Sequence, residues 1–373
     1  MMKILFIFGT RPEAIKLAPL IKECHDRAGK FEIVTCVTAQ HRAMLDQVLA
    51  FFEIIPDFDL DIMKENQGLS GLSSACLLGL DGIIATSSPD LIVVQGDTTT
   101  AFIGALCGYY HKIKVAHIEA GLRSLNPYSP FPEEINRTLI GHIADFHFAP
   151  TETAAKNLYS EGITRNVWVV GNTVIDALFW GLELLKQKDQ KTFVKQFNYL
   201  NLSKPIILIT CHRRESFGAP FEKLCRAFKE IADSHSNVEL VFPVHLNPHV
   251  REPVHRILKN CSNIHLIEPL DYPHFIWILS KCSIVLTDSG GIQEEAPSLG
   301  KPILVLRDIT ERTEGIEAGT AKLVGCDPEV IVRETDKLLH ASTPCHSRSH
   351  ANNPYGDGAS SKKIAEILST LLH

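Results

Sequence analysis

Short apolar runs alternate with longer segments of helical periodicity along the whole chain, a pattern that predicts parallel strands covered by helices on both faces. In the first half the runs are Lys3–Phe8, Glu32–Thr38, Leu91–Gln95, Val115–Ile118, Phe146–Ala149 and Val167–Val170. Helical patterns such as Arg42–Phe52, Leu69–Ala85 and Thr99–Tyr110 lie between them. A second series follows the lysine-rich stretch Leu185–Asn198: Ile206–Thr210, Val238–Pro243, Ile264–Ile267, Ile284–Thr287 and Pro302–Leu306. The break therefore falls near Gly171–Asn201. After an Asn353-Pro-Tyr-Gly-Asp-Gly turn, a last amphipathic helix, Ala359–Leu372, is expected to cross back to the first half. The fold class expected is α/β, with two Rossmann-like domains facing a central cleft. One comprises residues 1–172 plus 355–373 and the other residues 173–354, with ligands at the carboxyl ends of the strands.

Polar clusters sit where those strands end. Gly9-Thr10-Arg11-Pro12-Glu13-Ala14-Ile15-Lys16 combines a turn glycine, a proline suited to a first helical turn, and two cations near a helix N-terminus, where an anion is favoured. Leu91–Gln95 leads into Gly96-Asp97-Thr98, and Val115–Ile118 into Glu119. Asp97 as a mere helix cap is an equally good reading, but Glu is a poor strand residue and a poor cap. Glu133 and Glu134 open the next helix, where one of them is explained by the helix dipole alone. Acids converging on one rim raise one another's pKa and suit proton transfer.

In the second half, Ile206–Thr210 is followed by Cys211-His212-Arg213-Arg214-Glu215. There His212 is the functional candidate, and Arg214 with Glu215 reads as a surface ion pair. Asp288-Ser289-Gly290-Gly291 opens a helix whose backbone N–H groups suit a diphosphate, with Glu295 one turn further in and placed to accept from ribose hydroxyls.

Composition narrows the classes. The 373 residues suffice for two ordinary domains, and 45% hydrophobic with 21% charged residues is ordinary for a globular chain. A formal net charge of −6 offers no general attraction to nucleic acid or to an anionic membrane, so any phosphate site must be local. No uninterrupted apolar run approaches the ~20 residues that span a bilayer, and the first run is too short for a signal-peptide core. Ten cysteines without a C-x-x-C pair point to a reducing cytoplasm and away from zinc.

Ten motifs in this order resemble the non-hydrolysing UDP-N-acetylglucosamine 2-epimerases of bacteria and archaea, from Met2 to the last helix. They are GTRPEAIK (9–16), TAQHR (38–42), GDTTT (96–100), HIEAGLRS (117–124), SPFPEEINR (129–137), GNTVIDAL (171–178), CHRRES (211–216), PVHLNP (243–248), DSGGIQEEAPSLGKP (288–302) and NPYGDG (353–358). The resemblance implies a glycosyltransferase-B-type architecture, no metal, no cofactor, UDP-GlcNAc, UDP-ManNAc and UDP as ligands, a cytoplasmic homodimer, and a role in surface polysaccharide or cell-wall polymer synthesis.

By position, the resemblance gives Asp97, Glu119, Glu133 and His212 as catalytic residues. Arg11, Lys16, Leu270, Phe275, Ser289, Gly290, Gly291, Glu295 and Arg312 become substrate contacts, with the Leu270 backbone and Phe275 at the uracil. Gln40, Gln67, Glu134, Arg213 and His245 become a second, activating nucleotide-sugar site. The chain departs from the family at Asn66, where arginine is usual, and at Ile309 and Thr313 beside Arg312. The chemistry implied is elimination of UDP to a 2-acetamidoglucal and re-addition. A hydrolysing epimerase, a glycosyltransferase of the same fold and a nucleotide-sugar sensor are the alternatives. The acids disfavour the last two.

Overall fold

In the computed structural model, residues 1–27, 29–39, 42–63, 67–188, 190–213, 216–340 and 353–371 are described. They form two compact units, Met1–Trp180 with Tyr355–His373, and Gly181–Pro354.

The first unit runs β1 (Met2–Phe8), α1 (Arg11–His25), β2 (Phe31–Val37), α2 (Arg42–Phe51), β3 (Phe58–Asp59), α3 (Leu69–Ser87), β4 (Leu91–Gln95), α4 (Thr99–Tyr110), β5 (Lys114–Ile118), α5 (Glu133–Ile143), β6 (Phe146–Ala149), α6 (Glu152–Ser160), β7 (Val167–Val169) and most of α7 (Thr173–Gln187). The second continues with α8 (Gln190–Gln196), β8 (Ile206–Thr210), α9 (Ala219–Ser234), β9 (Glu239–Pro243), α10 (Pro248–Leu258), β10 (Ile264–Ile267), α11 (Tyr272–Lys281), β11 (Ile284–Thr287), α12 (Gly290–Ser298), β12 (Ile303–Val305), α13 (Thr313–Glu317), β13 (Ala321–Leu323) and α14 (Pro328–Leu339). Helix α15 (Ser360–Thr370) returns to the first unit and packs on α1.

Both sheets are parallel throughout, in the orders β3-β2-β1-β4-β5-β6-β7 and β10-β9-β8-β11-β12-β13. The α/β class with two Rossmann-like domains is therefore present. Each order reverses once, at β1/β4 and at β8/β11, and a crevice opens at the carboxyl ends where the flanking connections diverge. The central strands are buried on both faces, which is why they read as unbroken apolar runs. Leu5, Ile7, Ile92 and Val94 pack with Leu80, Ile84, Ala105 and Ile140 in one unit; Ile207, Ile209, Phe242 and Leu286 pack with Phe221, Phe228 and Val254 in the other. Each large side chain so buried contributes roughly 1.5–3 kcal/mol.

Helix α3 is long and apolar enough to cross a membrane by length and composition alone, with mean hydropathy 1.5, although Ser70, Ser73, Ser74 and Asp81 interrupt it. It packs on α4, burying Cys76, Leu80, Ile83 and Ile84. The described cysteines are all free thiols.

Two histidines face each other in register on β5 and β6, His117 and His147. Burial pushes the His117 pKa down to about 3 and the His147 pKa down to about 4, so both rings stay neutral near neutrality. His117 Nε2 donates to the Gly96 carbonyl at 2.7 Å, holding the turn that precedes Asp97. The unfolded chain takes these two protons below about pH 6.5 and the folded chain refuses them, so stability falls as pH drops from there toward the folded values. Each imidazole contributes a slope of about 1.4 kcal/mol per pH unit. Wild-type Tm should therefore drop more between pH 7 and pH 5 than that of a His147→Asn variant. Equal acid sensitivity in calorimetric scans would contradict this.

Candidate functional site

In the first unit, the β1–α1 turn is held by Glu13. Its buried carboxylate accepts from Gly9 N (3.1 Å), Thr10 N (2.8 Å), Thr10 Oγ1 (2.7 Å) and Thr98 Oγ1 (2.7 Å). One side chain thus caps α1 and fastens the β1–α1 turn to the β4–α4 turn. Burial raises the Glu13 pKa against those hydrogen bonds. Glycine is required at residue 9, because a Cβ there would overlap Thr38 Oγ1 and lie 2.7 Å from Thr100 Oγ1. Arg11 begins α1 beside this turn.

The neighbouring rim gathers the acids. Lys16, one turn along α1, and Gln95, the last residue of β4, both donate to the buried Glu119 carboxylate. Glu119 has φ of 65°, a left-handed backbone that costs a non-glycine residue on the order of 1 kcal/mol or more and that collects at functional sites. Asp97 pairs with Arg137 of α5 at 2.5 Å, and its carbonyl accepts from Asn136 Nδ2 at 2.9 Å. Burial, then the charges of Glu119 and Glu133, raise the Asp97 pKa, while Arg137 and Lys16 oppose them. The helix cap is Thr98, which accepts from Ala101 N at 3.0 Å, so the capping alternative for Asp97 falls away.

Of the acid pair opening α5, Glu133 faces this cluster electrostatically. Glu134 is buried and accepts from Ser124 N (3.0 Å) and Leu125 N (2.9 Å), with Arg137 Nη1 at 3.5 Å. Arg137, which sequence reasoning passed over, therefore joins Glu134 to Asp97. Its only signal was the i, i+3 and i, i+4 spacing from the two glutamates.

In the second unit, the β8 exit carries Cys211, His212 and Arg213, and the β11 exit carries Asp288 and Ser289. Thr210 Oγ1 donates to Thr287 Oγ1 at 2.7 Å, joining the two strand ends. Ser289 N donates to that same Thr287 hydroxyl at 2.9 Å, while the N–H groups of Gly290, Gly291 and Ile292, the first turn of α12, have no carbonyl partner within the helix, as suits an anion. The guanidinium carbon of Arg312 stands 3.3 Å from where a Cβ on Gly290 would lie. Glu294 (2.9 Å) and Glu311 (3.1 Å) hold Arg312 there. Burial raises the Glu311 pKa, but Arg312, a backbone hydrogen bond, Arg307 and Arg213 outweigh it and bring it to about 2.

Ile309 is exposed and Thr313 opens α13. The loop is fixed instead by Thr310 Oγ1, which donates to Gln293 Oε1 at 2.8 Å and accepts from Arg312 N at 3.1 Å. Glu295 is buried in α12. Leu270 precedes α11, whose cap Asp271 accepts from His274 N at 3.0 Å, with Phe275 next in the chain. His245 is exposed and stacks on His212 with centroids 5.5 Å apart. Gln67 immediately precedes the Gly68 cap of α3. Gln40, Asn66, Arg214 and Glu215 lie outside the described residues.

Two parallel sheets, each with polar side chains massed at its switch point, place the chain in the doubly wound α/β class. The profile described as UDP-N-acetylglucosamine 2-epimerase matches residues 22–369. A UDP-N-acetylglucosamine 2-epimerase of Salmonella typhimurium is 52% identical over 370 residues, covering 98% of each chain. The Escherichia coli K12 protein of that name is 50% identical over 372 residues, again covering 98% of each. Among solved structures, the Neisseria meningitidis UDP-GlcNAc 2-epimerase bound to UDP-GlcNAc superposes with TM-score 0.92 at 47% identity, over 99% of this chain and 100% of that one. The Methanocaldococcus jannaschii enzyme in complex with UDP-GlcNAc and UDP gives 0.83 at 33% identity, with the same coverage. The chain belongs to the UDP-N-acetylglucosamine 2-epimerase family.

Proposed function

We propose that this chain interconverts UDP-GlcNAc and UDP-ManNAc without hydrolysis, by eliminating UDP across C1–C2 and returning it to a bound 2-acetamidoglucal. The observation that carries this reading is the cluster of Asp97, Glu119, Glu133 and Lys16 at the β1/β4/β5 rim, in which Asp97 has a raised pKa. One acid takes the C2 proton; the freed electron pair becomes the C1–C2 double bond, and the C1–O bond breaks onto the diphosphate. A second acid returns a proton to the opposite face as UDP re-adds, which inverts C2. Loss of UDP is feasible only if its developing charge is stabilised. Arg11, Arg312, His212 and the amides of Gly290 and Gly291 supply that stabilisation. Glu295 takes the ribose hydroxyls, while Phe275 and the Leu270 backbone take the uracil.

Gln40, Gln67, Glu134, Arg213 and His245 form a second UDP-GlcNAc site that activates the first. The Asp97–Arg137–Glu134 contacts support a physical link between them. Exposed Leu69 and Leu78 on α3, Tyr109 and Tyr110 at the end of α4, and Ile135 and Leu139 on α5 support a homodimer through that helical layer. The enzyme works in the cytoplasm, where its UDP-ManNAc would supply a sugar for surface polysaccharide or cell-wall polymer.

Replacing Asp97, Glu119 and Glu133 singly by their amides should lower turnover by about 10²-fold or more, with UDP affinity by calorimetry within a few-fold of wild type. Near-wild-type rates in all three variants would sink the assignment. Product analysis separates the hydrolysing reading, which yields free ManNAc and UDP. Purified UDP-ManNAc should turn over slowly until UDP-GlcNAc is added. Because Asn66 lacks the charge-assisted contact of an arginine, that activation should need more UDP-GlcNAc than in relatives that keep one. Full activity on UDP-ManNAc from the first turnovers would remove the regulatory site.

A further inference from the structure

Asp288 is fully buried at the carboxyl end of β11. Its Oδ2 accepts from His212 N at 2.7 Å, from Arg213 N at 2.8 Å and from Cys211 Sγ at 3.2 Å. This carboxylate therefore clamps Cys211, His212 and Arg213, which follow β8, to the neighbouring strand. Its other oxygen, Oδ1, is buried without a hydrogen bond and stands 3.5 Å from His212 Nδ1. A buried acceptor with no donor is costly, and the ring nitrogen facing it is the donor that would relieve that cost.

We propose that Asp288 is the positioning residue for His212, holding Nδ1–H so that the ring meets the anionic ligand as an imidazolium that donates from Nε2. The assignment rests on the reading of His212 as a diphosphate contact. A carboxylate only accepts, so the nitrogen facing it carries a proton, and a second proton on Nε2 makes the ring a cation paired with Asp288 on one side and donating to the anion on the other. His245 stacks nearly parallel on the same ring, at an interplanar angle of 13°, and limits its rotation. The His245 ring is itself oriented, because its Nδ1 accepts from Asn247 N at 3.1 Å. The 3.5 Å separation is an ion-pair distance, and contacts of this kind tighten into hydrogen bonds when the ligand is bound. The same carboxylate holds the backbone of Arg213, so the His212 and Arg213 side chains leave one anchored loop in fixed directions.

Asp288→Asn keeps the shape and an oxygen for the two backbone N–H groups, but places an amide NH₂ against Nδ1, which reverses the neutral tautomer and leaves the imidazolium's Nδ1–H without an acceptor. Two-bond ¹H–¹⁵N NMR on the full chain without ligand, with the His212 signals assigned through His212→Asn, should find neutral His212 protonated on Nδ1 in wild type. In Asp288→Asn the proton should move to Nε2, and turnover of UDP-GlcNAc should fall on the order of 10²-fold or more while Tm changes little. In a His212→Asn background, Asp288→Asn should cost almost nothing further, because it acts through that ring. A wild-type ring protonated on Nε2, or a double variant whose loss is the product of the two single losses, would overturn the proposal. The tautomer is read without substrate. An Nδ1–H ring in a chain that does not turn over UDP-GlcNAc would uphold the positioning and overturn only the functional reading.

Discussion

A parallel sheet whose strand order reverses must send its two central connections to opposite faces, and the carboxyl ends of those two strands are left uncovered. That constraint operates twice here, at β1/β4 and at β8/β11. The functional candidates largely follow from it. Arg11, Lys16 and Asp97 leave the first reversal, with Glu119 just past the end of the adjacent strand; His212, Asp288 and the start of α12 leave the second. The helix beginning at such a point presents unpaired N–H groups, so the same topology that buries the strands also prepares an anion site.

The loops at those points need anchors, and buried carboxylates provide them in both units. Glu13 joins the turns after β1 and β4, and Asp288 joins those after β8 and β11. Asp176 does the same for the returning C-terminal segment: it accepts from Ser360 N (3.2 Å) and Ser361 N (2.7 Å) at the start of α15, and burial raises its pKa. Each is acceptor-only and can gather several backbone donors at one point, which a hydroxyl or amide cannot do as fully. Desolvating a carboxylate costs several kcal/mol unless its oxygens are satisfied, which is why these positions each gather two or more hydrogen bonds.

Much of this was legible in the chain. The long strands stand within a residue or so of the apolar runs, because burial on both faces leaves an unbroken signal. The two-residue β3 and three-residue β13 gave no such run, and α8 was hidden in a lysine-rich stretch whose apolar face is Phe193 and Phe197. Site residues with charges at strand ends could be found from position. Arg137, Glu13 and Asp288 were present in the quoted motifs, yet their roles were not readable. Their meaning lies in contacts such as Glu13 to Thr98, or Asp288 to His212, that only the folded topology brings together. Glu134 shows the reverse case: its backbone partners, Ser124 and Leu125, mark it as a loop support as well as a candidate ligand contact.

In the proposed mechanism the acids at the β1/β4/β5 rim move the C2 proton of a sugar whose UDP leaves and returns. Incubation with UDP-GlcNAc in deuterated water, followed by NMR, reads that proton transfer. Deuterium should appear at C2 of both UDP-GlcNAc and UDP-ManNAc, with no accumulation of free amino sugar. Formation of UDP-ManNAc without C2 label, or steady release of ManNAc and UDP, would contradict that mechanism.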